Sequence, residues 1–118
     1  MATMNTVIEY VDRMKPNVYS DDDKYRWINT VEGLVSHEVH NEPDYSLPDD
    51  ADAPLLIPAP YDEIYILYVF AMIDFHNSEY NAYNNTVLLF TERLNQYKTW
   101  YVQHDTSGKG GNFRNVMG

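Results

Sequence analysis

Tyr61-Asp-Glu-Ile-Tyr-Ile-Leu-Tyr-Val-Phe-Ala-Met-Ile-Asp-Phe-His-Asn77 decides how this chain folds. Residues 64–73 are without exception apolar or aromatic, so a helix here is apolar nearly all round instead of carrying one stripe, and such a helix must be enclosed by protein. A chain of 118 residues forms one domain that hides roughly two-thirds of its unfolded surface, and it has few elements with which to surround a helix. The sequence therefore predicts that other chains supply part of the enclosure, with Ile66, Val69 and Phe70 meeting a neighbour. On that reading, Val69→Asp blocks assembly and leaves helicity mostly intact.

Upstream lies a stretch that opposes both helix and sheet. Residues 41–60 contain Pro43, Pro48, Pro54, Pro58 and Pro60 with Asp44, Asp49, Asp50 and Asp52. A connection of this length exceeds the usual loop in a compact domain. Because Leu55, Leu56 and Ile57 have no use in a free linker, the stretch reads as an arm that reaches a second copy. Two helices precede it. Over 6–15, Val7, Ile8, Val11 and Met14 recur at helical spacing before Pro16. Ser20 then caps a second helix whose first turn holds Asp21, Asp22 and Asp23 against the positive end of its dipole. Its apolar face is Trp27, Ile28, Val31, Leu34 and Val35, and it extends to about Val39. Gly33 weakens it by about 1 kcal/mol unless close packing requires glycine.

Downstream, Asn77, Ser78, Asn81, Asn84 and Asn85 predict a turn or kink. Tyr83, Val87, Phe90, Leu94, Tyr97 and Tyr101 then alternate spacings of four and three, the seam by which one helix packs lengthwise on another. This fourth helix runs to about His104. No run alternates with the period of a strand, so the fold class is all-α: a four-helix domain over 1–105, a long Pro/Asp-rich loop between helices 2 and 3, and a Gly-rich tail over 106–118.

Composition narrows function. The chain lacks cysteine, which excludes disulfides, thiolate metal sites and a cysteine nucleophile. Its amino terminus has no pattern of a secretory leader, and the run over 64–73 is about half of the roughly 20 residues a membrane span needs. Net charge is −10, and residues 1–63 hold 14 of the 18 acids but 4 of the 8 bases. That field disfavours non-specific nucleic-acid binding. His37 and His40 share a helical spacing suited to a metal, but no third ligand is indicated. Neither a serine with an adjacent base nor a phosphate-loop context around Gly108-Lys-Gly-Gly111 is present. No catalytic residue, metal or cofactor is expected. The eleven tyrosines and two tryptophans suit core and protein interfaces, since each ring buries a large area and keeps a polar tip.

Three segments carry a resemblance: Lys24-Tyr-Arg-Trp-Ile-Asn-Thr-Val-Glu-Gly33, Ala59-Pro-Tyr-Asp-Glu-Ile-Tyr65, and Ala71-Met-Ile-Asp-Phe-His-Asn-Ser-Glu-Tyr-Asn-Ala-Tyr-Asn-Asn85. Through them the chain resembles the head-tail connector adaptors of tailed bacteriophages, above all those of phages of Gram-positive bacteria. The resemblance runs from about Met4 to Tyr101. It implies a small helical subunit without enzymatic activity, forming a homo-oligomeric ring, typically dodecameric, beneath the portal of the filled head. It also implies a virion location, a platform for a stopper or tail component, and DNA passing without specific binding. The family's carboxy-terminal segment commonly reaches the portal, which makes Lys109, Phe113, Arg114 and Val116 the candidates for that contact. Asp21, Asp22, Asp23, Asp49, Asp50 and Asp52 are candidates for an acidic lumen that repels DNA, and helix capping and solubility account for them equally well. Two rival readings are an acidic DNA mimic that inhibits a host defence enzyme, and another connector part such as a stopper or tail-end protein.

Overall fold

The computed structural model describes residues 2–104. Its helices are α1 (Met4–Met14), α2 (Asp21–Leu34), α3 (Glu63–His76) and α4 (Tyr80–His104), and no strand occurs among the described residues. The all-α, four-helix fold expected from the sequence is the one adopted.

Each helix start has a local cause. Thr3 and Thr6 cap α1 reciprocally: Thr3 Oγ1 accepts from the Thr6 amide at 3.1 Å and Thr6 Oγ1 from the Thr3 amide at 2.9 Å. The helix therefore begins earlier than its apolar spacing suggested. Met4, Val7, Ile8 and Val11 face inward, whereas Met14, expected on that face, is exposed. Ser20 caps α2 as predicted, accepting from the Asp23 amide at 3.1 Å. Beyond Leu34 the coil widens into a π-helical turn, Val35–Val39, in which the His40 amide reaches back to the Val35 carbonyl at 2.8 Å. The helix thus extends to Val39 but not as α-helix throughout. Asn41, in the left-handed region at φ 57°, ends it, a conformation asparagine tolerates better than most residues.

Helices α3 and α4 form an antiparallel pair. Contacts between Tyr61 and Tyr97, Glu63 and Arg93, Tyr68 and Phe90, and Phe75 and Tyr83 run the length of the pair. Their junction is shorter than the asparagine-rich stretch predicted. The Ser78 amide donates to Phe75 O at 3.0 Å and the Glu79 amide to Asp74 O at 2.9 Å, with Ser78 at φ 62°. This is a Schellman closure. The Tyr83 amide already bonds to Glu79 O at 2.9 Å, so Asn81, Asn84 and Asn85 belong to α4 and not to the turn.

The enclosure of α3 differs from the sequence expectation. It packs on α4, α2 and α1 of its own chain, and Ile64, Tyr65, Leu67, Val69, Ala71 and Ile73 are buried. Val69 is 0% exposed, so it is core and is not available to a neighbour. Ile66 and Phe70 are half-buried against that core. The three other helices and the 41–60 segment together bury most of this all-round apolar helix, which is why Val69 does not serve as an interface residue.

The proline-rich segment likewise turns inward. The Asn5 amide bonds to Ala51 O at 3.0 Å and the Leu55 amide to Ala2 O at 2.9 Å. Leu55 and Ile57 are buried in their own chain, 4% and 0% exposed, and Leu56 is half-buried. The triplet is an internal plug and not an arm extended to another molecule.

Candidate functional site

Polar groups inside the fold come first, because they fix what the surface can present. Glu32 is 0% exposed, placed on the inward face of α2 four residues after Ile28 and three before Val35. Its Oε1 accepts from the Tyr65 hydroxyl, and its Oε2 from the Leu56 amide at 3.0 Å and the Tyr45 hydroxyl at 3.3 Å. Tyr65 in turn accepts from the Ile57 amide at 2.8 Å. One carboxylate thus ties α2, α3 and the 41–60 segment together. Burial pushes the Glu32 carboxyl above its usual 4.5, against the lowering effect of its three donors. Burial, followed by the Glu32 charge, raises Tyr65 and Tyr45.

A second tie joins the π-helical turn to α4. His40 lies 2.7 Å from the Tyr97 hydroxyl and stacks on Tyr101 at 4.2 Å between ring centres. Burial also raises Tyr97. His37, three residues earlier, is exposed as a solvated helix-end histidine should be, whereas His40 is buried, so the two imidazoles serve different surroundings. Among the described residues no group of three or more His, Cys, Asp or Glu is placed to hold a metal ion.

Two ion pairs hold the short first helix. Lys24 Nζ, almost fully buried, meets Asp12 Oδ1 at 2.7 Å. Lys15 Nζ lies 2.8 Å from Asp74 Oδ1, off the hydrogen-bonding direction, and 5.8 Å from the centre of the Phe70 ring. Phe70 is therefore met on that side by Lys15, the residue that caps the end of α1.

The aspartates are divided by local role. Asp21 and Asp22 are exposed on the first turn of α2, where the dipole favours them, and Asp23 is partly covered. Asp50 Oδ1 accepts from the Asp52 amide at 2.9 Å, and Asp52 Oδ1 from Asn5 Nδ2 at 2.7 Å. Asp49 is exposed. Turn formation accounts for Asp50 and Asp52. Lys109, Phe113, Arg114 and Val116 lie outside the described residues.

Two surfaces then stand out. At the α3–α4 corner, Phe75 is 42% and Tyr80 55% exposed, with ring centres 6.0 Å apart and Tyr83 5.2 Å from Phe75. His76 continues the patch, edge-on to Phe75 and stacked on Trp27 at 5.5 Å. Tyr19 completes it, with its hydroxyl donating to Asn77 Oδ1 at 2.6 Å. The second surface is an open trough of about 710 Å³ along the outward side of α4, opposite the seam, floored by Leu88, Asn95, Thr99 and Gln103 and flanked by Tyr61 and Trp100. Leu88 is 71% exposed there.

Sequence reasoning missed Glu32, Tyr65 and both surfaces. A charged residue at an inward position of the α2 stripe was the readable signal for Glu32. The trough residues Leu88, Glu92, Asn95, Thr99 and Gln103 recur at spacings of three and four that keep them on one side of a helix, but only one of them is apolar. Comparison of the chain with family models, curated proteins and solved structures finds no match.

Proposed function

We propose that the chain is a head-tail connector adaptor of a tailed bacteriophage: a non-enzymatic virion protein whose identical copies form a closed ring beneath the portal. The ring passes DNA without reading it and offers a platform to a stopper or tail component. The observation that carries this reading is where the resemblance falls. Segment 71–85 forms the whole α3–α4 corner, and it supplies the exposed Phe75 and Tyr80. The other two segments meet at the buried Glu32–Tyr65 bond, which holds the fold that presents the corner.

In this reading the corner, and not the middle of α3, meets the adjacent copy through a head-to-tail contact of the kind that closes rings. Exposed aromatic side chains suit that task, because they add contact area at low entropic cost. The tail, through Lys109, Phe113, Arg114 and Val116, docks on the portal.

Electron microscopy of the chain mixed with portal-bearing heads tests the proposal. Ring density beneath the portal is expected for the native chain. The double variant Phe75→Ser/Tyr80→Ser should keep its helical circular dichroism and lose the ring, and truncation after Asp105 should weaken attachment. Bare portals with the native chain in excess would sink the reading.

A further inference from the structure

We infer that the outward trough of α4 is the docking site of this chain's own carboxy-terminal segment, 106–118, folded back along the helix. The inference concerns the free chain, before any partner takes the segment, and does not draw on the connector reading.

Length supports it first. The trough extends from Gln103 to Leu88, and its near end lies one residue from the last described position, His104. From His104 back to Leu88 is ~24 Å at 1.5 Å per helical residue. Nine residues, 105–113, span at most ~30 Å when extended, so Phe113 reaches the middle of the trough and Val116 its far end, even after a reversal consumes two or three residues. Gly108, Gly110 and Gly111 supply the backbone freedom such a reversal needs.

Charge supports it second. Residues 1–104 hold 17 acids against 6 bases, whereas 105–118 hold Asp105 against Lys109 and Arg114. The trough lining has one carboxylate, Glu92, and no base. The neighbouring Arg93 is committed to Glu63 at 2.7 Å and touches Glu92 only at 3.5 Å, which leaves Glu92 able to receive Lys109 or Arg114. Chemistry of the floor supports it third. Asn95, Gln96 and Gln103 offer amides to an extended backbone, while Leu88, Tyr61 and Trp100 offer apolar surface to Phe113 and Val116. A tethered segment enters at an effective concentration in the millimolar range, which favours the chain's own tail over that of another copy.

The chain has no cysteine, so a single nitroxide at Asn115→Cys reports the position of the tail in the full chain. Paramagnetic broadening should be strongest at the backbone amides of Leu88, Glu92 and Asn95, independent of protein concentration, and weakened several-fold by Leu88→Asp or by high salt. Leu88 is exposed, so this variant retains the fold, as its unchanged spectrum elsewhere will verify. Broadening no stronger along α4 than along α1 would overturn the inference. So would broadening that grows with concentration, because the trough would then hold the tail of a second copy.

Discussion

Helices α3 and α4 are neighbours along their full length yet solve opposite problems. α3 is apolar on every side and is enclosed by three helices and the 41–60 segment. α4 is covered on one side, where Leu94 and Tyr97 are buried, and bare on the other, where Leu88 is 71% exposed. The difference teaches that apolar content alone does not locate an interface. The greasiest helix became the centre of the molecule because centrality buries most of its apolar residues at once. Surface left for partners belongs to the helix whose apolar seam is narrow and whose length exceeds what the core can use.

The sharpest way to break this comparison is the same substitution on both helices. Val69→Asp places an unpaired carboxylate at a position with no solvent access, and we expect a loss on the order of 4 kcal/mol, a large part of the ~5–15 kcal/mol that holds a domain together. Circular dichroism should show lost helicity, the outcome opposite to that expected from the sequence. A folded, cooperative Val69→Asp variant would return α3 to the surface.

Next in size is the carboxylate that fastens α3 to its surroundings. Glu32→Ala leaves the Tyr65 and Tyr45 hydroxyls and the Leu56 amide without their acceptor, at a cost on the order of 3 kcal/mol. Glu32→Gln keeps part of the bonding, costs about half as much and isolates the titration. Burial raises the Glu32 carboxyl in the folded chain, so the native state binds this proton more tightly than the unfolded state does. Stability from this group therefore falls as pH rises from about 4.5 through the raised folded value, and is level above it. Urea melts of the native chain and of Glu32→Gln should show a deficit that is larger in mild acid than at neutral pH. A deficit constant across that window would mean that the two states hold the proton equally.

Four helices, the Ser20 cap and the α4 seam were legible in the sequence because each depends on local spacing. The fate of α3 was not, because whether a helix is wrapped depends on how many other elements reach it. The triplet Leu55-Leu56-Ile57 shows the same limit. Its apolar character was read correctly, but its partner, the buried edge of Glu32 and Tyr65, lies 24 and 8 residues away through bonds that no local pattern contains. The Phe75–Tyr80 corner was hidden for another reason: the asparagines predict a turn or kink without placing its ends, and the Ser78 closure is what confines it to a few residues and leaves both rings at the surface.

A smaller effect tests how tightly the partners of α3 pack. A Cβ built on Gly33 meets nothing within 4 Å, so close approach does not explain this glycine in α2. Gly33→Ala should raise stability by about 1 kcal/mol, read as an increase in the urea midpoint at unchanged slope. No gain would mean that this end of α2 frays in the native state.

The smallest expected effect completes the comparison. Leu88→Asp makes on α4 the same kind of change that Val69→Asp makes on α3, but the carboxylate enters water once the docked tail is displaced, and the side chain it replaces has little burial against residues 2–104 to give up. Substitutions at such sites usually stay within about 0.5 kcal/mol, so the urea midpoint of Leu88→Asp should match that of the native chain. The neighbouring carboxylate Glu92, four residues on, adds a like-charge repulsion of about 0.2–0.5 kcal/mol, and salt should remove that remainder. A loss approaching that of Val69→Asp would mean that the outward side of α4 is covered as thoroughly as α3 and that the contrast between the two helices does not exist in solution.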